Sequence, residues 1–207
     1  MEYMFYFLEG ILVGILISIP VGPVGVLCIR RTLVQGTLFG FISGLGAATA
    51  DALYGGIAAF GLTFVFDFLL QNQLFFQLVG GLLLVFMGIN AWIKPSREDM
   101  TVEKKASKAG AYWSVFFVTL ANPITLLAFG GILAGLGIGS TVHDSYLLNV
   151  SLILGVFTGA TIWWSTLSYG VGRLRERLPS MFFTWMNRIV GTVLILFGIG
   201  MLSYSMI

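Results

Sequence analysis

Long uncharged runs of apolar residues recur along the chain, and they restrict it to a narrow set of folds. About 20 apolar residues are enough for a helix to cross the hydrocarbon core of a bilayer. Six such spans are predicted, at about 7–29, 35–62, 74–93, 112–134, 147–171 and 188–206. Only 10% of the 207 residues are charged, whereas soluble domains contain about 25%. The sequence therefore predicts an all-α integral membrane protein with six transmembrane helices in a single domain, residues 1–207.

Basic residues indicate how these spans would be oriented. All 11 Lys and Arg residues follow the first, third or fifth span, at Arg30–Arg31, Lys94–Lys108 and Arg173–Arg188. The positive-inside rule places these three connections in the cytoplasm. We therefore expect a multi-pass protein of the cell inner (cytoplasmic) membrane, surrounded by the lipid bilayer, with both termini outside. The net charge of +2 gives no indication of a nucleic-acid partner.

Internal similarity divides the chain into two halves. The segment Gly40–Gly55 aligns without gaps with Gly155–Gly170, which puts Asp51 opposite Thr166. The third and sixth spans share a second spacing, in which Gly81, Gly88 and Ile89 correspond to Gly191, Gly198 and Ile199. The first and fourth spans each contain a proline part-way along. Three matches in the same order indicate a repeat of three spans.

Because each repeat has an odd number of spans, the two copies must be inserted in opposite senses. We predict repeats at about 1–93 and about 112–207, joined by a cytoplasmic loop at 94–111. Inverted repeats of this kind are typical of secondary transporters, whose sites lie near the midplane where broken helices meet. Alternating access would then be a rocking of one repeat against the other.

Asp51 is the only carboxyl group predicted at mid-membrane, because the apolar runs on either side of it carry no other formal charge. A charged side chain at the centre of a membrane helix costs about 2.5–3.5 kcal/mol on insertion scales, so it is kept only when it is paired, hydrated or titrated. We interpret Asp51 as the acid that couples transport to protons, or as the partner of a substrate amine. The alternative is a structural Asp that hydrogen-bonds a neighbouring helix.

One helix break is predicted in each repeat. Pro20, Gly22 and Pro23 would interrupt the first span, and Asn122 and Pro123 the fourth, because proline lacks an amide donor and its ring clashes with the preceding turn. Freed backbone groups at that depth are tolerated only where they are buried or line a cavity. We interpret these residues as substrate-binding, with Asn122 and the backbone of both breaks hydrogen-bonding the substrate. The alternative is a pair of proline kinks with a packing role.

Trp163 and Thr166 extend the predicted substrate site into the fifth span. Thr166 is the counterpart of Asp51. Trp163 and Trp164 lie deeper than an interfacial belt, where the ring of one of them could stack on a substrate cation or ring. Packing in the core or against lipid is the alternative for Trp163. Small residues at four-residue spacing are assigned instead to close helix packing; they are Gly40, Gly44 and Ala48, and likewise Gly155 and Gly159.

The sequence also argues against other kinds of site. Cys28 is the only cysteine, which excludes an internal disulfide and a CxxC redox centre. His143, the only histidine, is predicted to be a solvated loop residue. With no Cys, His or acid pair at membrane depth, an intramembrane enzyme or redox carrier is disfavoured, and no cofactor is predicted. A divalent or heavy-metal cation exporter is disfavoured because such ions need several ligands, but it stays open as the main alternative.

The first two spans, SIPVGPVGVLCIRRTLVQGTLFGFISGLGAATADALYG, resemble the N-terminal signature of the lysine exporter (LysE/RhtB) family. The shared elements are Gly22-Pro23, the basic pair Arg30-Arg31, the Gly-rich stretch Gly36 to Gly46, and Asp51. The fourth span, with LANPITLLAF, is similar to the family's Asn-Pro segment, and the resemblance covers the whole chain.

The resemblance implies a secondary transporter, not an enzyme, that exports amino acids or related small metabolites by means of the proton-motive force. The wider superfamily includes heavy-metal exporters. The expected partners are therefore protons and a small amino-acid substrate, zwitterionic or cationic, that binds near the midplane. The oligomeric state is left open, and a homodimer is compatible with the sequence.

Overall fold

The computed structural model describes residues 2–19, 22–60, 68, 71–93, 107–122, 125, 145–175 and 180–204. All regular secondary structure in this part of the chain is helical. The helices are α1 (Glu2–Ser18), α2 (Pro23–Gln35), α3 (Thr37–Ala59), α4 (Gln73–Ile93), α5 (Lys108–Ala121), α6 (Tyr146–Arg175) and α7 (Ser180–Tyr204). The expectation of an all-α protein is confirmed for these residues.

The first predicted span is divided into α1 and α2, which are bent by 83° relative to each other. Gly22 precedes α2 in an extended conformation, and Pro23 lies in the first turn of the helix. Proline suits that position because the amide it lacks would have no helical partner there. The predicted break is confirmed at Gly22 and Pro23, whereas Pro20 lies outside the described residues.

Helix α5 ends where the second break is predicted. Its C-terminal cap is Asn122, which has a φ of −81° and a ψ of 109°. A residue that precedes proline avoids the helical conformation because the proline ring clashes with it. The end of the helix at Asn122 is thus confirmed, while Pro123 and most of the remaining predicted span, up to residue 134, lie outside the described residues.

A single residue, Gly36, joins α2 to α3. Its φ of 105° is a conformation that glycine adopts without steric cost, and the turn brings α2 back beside α3. As a result Thr32 lies directly against Gly40. Because α2 continues to Gln35, the predicted end of the first span at residue 29 is too early.

The two halves of the chain pack chiefly on each other. Among the described helices, α1 lies against α6, α3 lies between α5 and α6, and α4 lies against α7. Helices α1 and α6 run parallel, since Gly10 contacts Gly155 while Ile11 contacts Gly159. Helices α4 and α7 run antiparallel, with Gly81 against Gly198 and Gly88 against Gly191.

Helix α3 is parallel to α5 and antiparallel to α6. Along α5, Gly46 contacts Tyr112, and eight residues later the Tyr54 hydroxyl donates to the carbonyl of Leu120 at 2.6 Å. Along α6 the order is reversed, because Gly40 is near Ser168 whereas Gly56 is near Ile153. Parallel and antiparallel neighbours are both expected when successive helices cross a membrane in alternating directions.

Glycines allow backbones to touch where α1 meets α6. A Cβ atom on Gly10 or Gly14 would overlap carbonyl oxygens of α6, and one on Gly155 or Gly159 would overlap carbonyl oxygens of α1. A side chain cannot rotate away from a backbone atom, so only glycine permits this approach. Gly40 and Gly44 are similarly covered by Thr32 and Trp164. The packing role predicted for Gly40, Gly44, Gly155 and Gly159 is therefore confirmed.

Two apolar clusters hold the described helices together. The larger one lies where α2, α3, α4, α5, α6 and α7 meet, and its buried members include Leu27, Cys28, Leu84, Val115, Trp164 and Leu194. The smaller one joins α1, α3 and α6 through Val13, Ile17, Tyr54, Ile57, Leu152 and Val156. Asp51 belongs to neither cluster but is buried on α3, whose other residues contribute to both.

By length and apolar composition, one described helix could cross a membrane, at Tyr146–Leu174, and α1 with α2 would provide a second if the bent pair is one span. Shorter apolar helical stretches occupy Gln77–Ile93 and Trp185–Gly200. The described helices overlap all six predicted spans. The number of crossings and the division into inverted repeats stay predictions.

Candidate functional site

The side chain of Asp51 lies inside the bundle and beside the first helix break. It is 3% exposed, and its Oδ2 atom accepts a hydrogen bond from the Ser18 hydroxyl at 3.4 Å. Ser18 is the last residue of α1, so the carboxyl group is next to the point where that helix ends. Among the described residues, Ser18 supplies the one hydrogen bond recorded for this carboxyl group. A buried charge is stabilised only by hydrogen bonds or an opposite charge, so an ionised Asp51 would need a further partner.

The first turn of α2 adds unpaired backbone donors to the same break. No side chain caps this helix, because its N-cap residue is Gly22 and its first residue is Pro23. A Cβ atom placed on Gly22 would meet nothing within 4 Å, so open space adjoins the first turn. The amides at a helix N-terminus carry partial positive charge and bind anions such as carboxylates. The break can therefore offer donors for a carboxylate close to the Ser18–Asp51 pair.

The end of α5, where the second break is predicted, contacts the same part of α3 as the end of α1. Tyr54 is buried one turn after Asp51, and its hydroxyl donates to the Leu120 carbonyl near the end of α5. Asn122 lies two residues after Leu120, and its backbone N–H donates to the Thr119 carbonyl at 3.2 Å. Asp51 and Tyr54 thus connect one turn of α3 to both helix ends. Sequence reasoning missed Ser18 and Tyr54, although Ser18 is the last polar residue before the proline-rich break.

The remaining predicted site residues lie elsewhere or outside the described part. Thr166 is exposed, and its hydroxyl donates to the Ile162 carbonyl of its own helix at 2.8 Å. Trp163 is half-buried and packs against the larger apolar cluster. No contact of either residue with Asp51 is recorded among the described residues. Pro20 and Pro123 lie outside them. Gly22 and Pro23 begin α2 and Asn122 caps α5, but no direct contact of these three residues with Asp51 is recorded among the described residues.

Arg31 is the second buried charged residue of the described chain, and the sequence analysis used it for topology and for the family resemblance, not as a site residue. It is 8% exposed, and it donates to the hydroxyls of Ser43 and Ser114 at 2.9 Å and 2.7 Å. It also donates to the Ala111 carbonyl at 2.7 Å. These bonds tie α2 to α3 and α5. Helical spacing could have revealed the burial, since Arg31 lies one turn after Leu27 and Cys28 on the buried face of α2.

Basic residues gather at one end of the bundle. Beside the Arg31 network, the Arg30 Nε atom donates to Asn187 near the start of α7 at 3.0 Å, and the Arg188 guanidinium lies 5.8 Å from the Trp92 ring centre at the end of α4. Gly172 near the end of α6 contacts Thr37 at the start of α3. We call this end, formed by the ends of α2, α4 and α6 and the starts of α3, α5 and α7, the basic end.

The described residues include no group of three or more His, Cys, Asp or Glu side chains that could hold a metal ion. The one described cysteine, Cys28, is a free thiol buried in the larger cluster. The chemistry available around Asp51 is therefore that of a carboxyl group, a serine hydroxyl and backbone amides. Such groups can bind and release a small polar molecule or a proton.

Comparison with known proteins is consistent with this arrangement. Residues 15–205 match the family model described as LysE type translocator. The chain is 32% identical over 199 residues to "Putative amino acid efflux protein YcgF" of Bacillus subtilis (strain 168). The aligned region covers 93% of this chain and 92% of that protein. These matches place the chain among membrane transport proteins and point away from an enzyme. It belongs to the LysE type translocator family.

Two further relatives are membrane proteins without an assigned activity. "Uncharacterized membrane protein YahN" of Escherichia coli (strain K12) is 31% identical over 110 residues, which are 49% of this chain and 47% of that protein. "Uncharacterized membrane protein ycf78" of Tetradesmus obliquus is 27% identical over 164 residues, or 74% of this chain, but these are 7% of its own length. No solved structure matches the chain.

Proposed function

We propose that this protein exports amino acids or related small metabolites across the cytoplasmic membrane in exchange for protons. The observation that carries the proposal is the placement of Asp51, a buried carboxyl group beside a helix break, with a single long hydrogen bond from Ser18. Broken helices around a mid-membrane acid are typical of secondary transporters. The name of the Bacillus subtilis relative, an amino acid efflux protein, supports the same substrate class.

The break offers complementary partners for a zwitterion. The uncapped amides of the first turn of α2 would bind the substrate carboxylate, while Asp51 would pair with the ammonium group. Asn122, at the end of α5, and Pro123 would complete the site from the second half, and Pro20 would complete it from the first. In this proposal Trp163 forms its more distant wall on α6, whereas Thr166 lies on the exposed side of that helix and is not part of the wall.

Exchange follows from competition for one carboxyl group. A proton and a substrate ammonium group are alternative partners of Asp51, and a buried carboxylate needs one of them. Protonation of Asp51 would release the amine on the outer side. Loss of the proton toward the cytoplasm would make the carboxylate available to the next substrate. Each cycle then moves a proton inward and a substrate outward.

Two inverted repeats, about 1–93 and about 112–207, would provide the alternating access. In such a molecule, the first span of one repeat should contact the second span of the other. The described contacts follow that rule, because α1 packs in parallel on α6 and α3 packs in parallel on α5. The third spans should meet each other across the symmetry axis. Reciprocal contacts of Gly81 with Gly198 and of Gly88 with Gly191 support this.

The test is export by the purified protein in liposomes. Proteoliposomes would be loaded with a panel of radiolabelled amino acids, and separately with divalent cations, before an inward proton gradient is imposed. They should release at least one amino acid faster than equally loaded liposomes without protein. Asp51→Asn should insert normally, since Asn is nearly isosteric, but should lose gradient-driven release. Glu2→Gln removes an exposed carboxyl group of α1 and should behave as wild type.

Two results would contradict the proposal. Release of a divalent cation and of no amino acid would make the chain a metal exporter. Gradient-driven release by Asp51→Asn at the wild-type rate would show that Asp51 is a structural hydrogen-bonding residue, and proton exchange through it would be excluded.

A further inference from the structure

Buried polar atoms that have no hydrogen-bond partner among the described residues line one side of α6. They are the Thr161 hydroxyl, the Trp164 indole nitrogen and the Ser168 hydroxyl, and a fourth such atom is the Gln35 side-chain oxygen at the end of α2. Trp164 is 4% exposed and Ser168 is 1% exposed. A buried polar group that lacks a partner costs about 1–3 kcal/mol. A set of them in one place therefore needs an explanation.

Other hydroxyls of the same helix do have partners. Those of Ser151, Thr158, Ser165 and Thr166 each donate to the carbonyl four residues earlier. Thr161 and Ser168 do not, although the same carbonyl geometry is available to them. At about 100° per residue, Thr161, Trp164 and Ser168 lie within about 60° of the helix circumference. The unpartnered atoms thus form one polar stripe, which we call the α6 polar stripe.

The α6 polar stripe faces a part of α3 whose residues have no side chain that can form a hydrogen bond. Gly40 is close to the Ser168 hydroxyl, and a Cβ atom on Gly44 would overlap Trp164. Ala48, one turn further, is fully buried in the same apolar cluster as Trp164. Glycine and alanine offer no donor or acceptor, so the stripe is left without partners as long as α3 and α6 are in contact.

The stripe leads from the basic end toward Asp51. Because α3 and α6 are antiparallel, Ser168 lies at the level of Gly40, Trp164 at the level of Gly44, and Thr161 further toward Asp51. Gly40 and Asp51 are eleven residues apart, which is about 16 Å along a helix. Polar groups are therefore spaced along most of the distance between the basic end and the buried carboxyl group.

We propose that the seam between α3 and α6 is the cytoplasmic half of the translocation path, along which water and a polar zwitterionic substrate reach Asp51. The described conformation has this half closed. When α6 separates from α3, Thr161, Trp164 and Ser168 gain water or the carboxylate and ammonium groups of the substrate as hydrogen-bond partners. The proposal rests on the transport function proposed above. It assigns to the path Thr161 and Ser168, which the sequence analysis did not consider, and Trp164, which it considered beside Trp163.

Cysteine accessibility tests the path without any substrate. In a Cys28→Ala background, Thr161→Cys, Ser168→Cys and Ala48→Cys would be exposed, one at a time, to a membrane-impermeant sulfonated thiosulfonate reagent on the cytoplasmic side of inverted vesicles. The matched control is Ile162→Cys, which is at the depth of Thr161 but on the exposed outer side of α6. We expect each path variant to react at least about tenfold faster than the control, because a thiolate forms readily only in water.

Reaction of all three path variants at or below the rate of Ile162→Cys would overturn the proposal. Reaction of Ser168→Cys without Thr161→Cys would also overturn it, because the wetted path would then stop short of Asp51. Ala48→Cys reports from the facing helix, so the test does not depend on one substitution folding correctly. Since no substrate is involved, absence of export with rapid labelling would count against the proposed function and not against the path.

Discussion

The Ser18 hydroxyl is 3.4 Å from the Asp51 carboxyl group, whereas hydrogen bonds between such groups are usually about 2.5–3.0 Å long. A carboxyl group held this loosely can exchange one partner for another. Its position within the break should then matter as much as its charge, because the substrate amine and the proton must reach it in turn while the amides of α2 bind the substrate carboxylate.

Moving the carboxyl group should therefore slow export without abolishing it. Asp51→Glu keeps the titratable group but displaces it by about one methylene, and a misplacement of about 1 Å can cost about 10²-fold in a tight site. We expect gradient-driven efflux from proteoliposomes to fall by between about tenfold and 10²-fold. Glu2→Asp, which shortens an exposed acid, is the control. An unchanged rate in Asp51→Glu would show that the site does not position its carboxyl group.

The unpartnered hydroxyl of Ser168 should lower the stability of the closed conformation. Ser168→Ala removes it, whereas Ser165→Ala removes a hydroxyl that donates to the Thr161 carbonyl at 2.6 Å. Both changes bring the same helix propensity, so we expect Ser168→Ala to be the more stable by about 1–3 kcal/mol in free energy of unfolding. Denaturation of the two variants in detergent measures the difference. Equal stability would indicate that Ser168 has a partner in solution.

Among the structural elements, the helix ends were the most predictable from sequence. The start of α2 at Pro23 and the end of α5 before Pro123 follow from the covalent structure of proline, which acts on its immediate neighbours. The hydrogen-bond partners of Arg31 could not be predicted in the same way, because Ser43, Ala111 and Ser114 are distant from it in sequence. Local chemistry thus predicted where helices end, but not which side chains they bring together.

The contact between α1 and α6 should be sensitive to a single methyl group. Gly159→Ala places a Cβ atom against the Ile11 carbonyl, and overpacking of this kind costs about 1–3 kcal/mol. Gly170→Ala makes the same change in the same helix, where nothing lies within 4 Å, and should be neutral or stabilising by up to about 1 kcal/mol. Thermal unfolding in detergent compares the two. Equal melting temperatures would mean that α1 is not held against α6 in solution.

For the whole molecule, the sequence predicted the orientation of the basic residues, and the structure gathers the described ones at one end of the bundle through the contacts of Arg30, Arg31 and Arg188. The loop residues that carry most of the remaining positive charge, at 94–106, lie outside the described residues. Charge asymmetry is readable from sequence because it depends on where residues fall between spans. The pairing of helices is not, because glycine spacing fits several partners equally well.

The positive-inside arrangement predicts which ends of helices are accessible from the cytoplasm. In a Cys28→Ala background, Lys108→Cys at the basic end should react with an impermeant thiol reagent only in inverted vesicles. Tyr146→Cys and Glu2→Cys, at the starts of the parallel helices α6 and α1, should react only in intact cells. Reaction of Lys108→Cys and Tyr146→Cys from the same side would contradict both the six-span topology and the external termini.

The reciprocal glycine contacts have a consequence for biosynthesis. α1 packs mainly on α6, α3 packs on α5, and α4 packs mainly on α7. Within the first half, the described helices pack appreciably only through α2 with α3 and, more weakly, through α1 with α3. During synthesis, the first half enters the membrane before the helices on which it packs have been made. In that interval the glycine-containing faces of the first half are uncovered, and they can contact helices of other membrane proteins because glycine permits close backbone contact. The committing event of assembly is thus the arrival of the last two helices, and damage there should be more harmful to the finished protein than equal damage early in the chain.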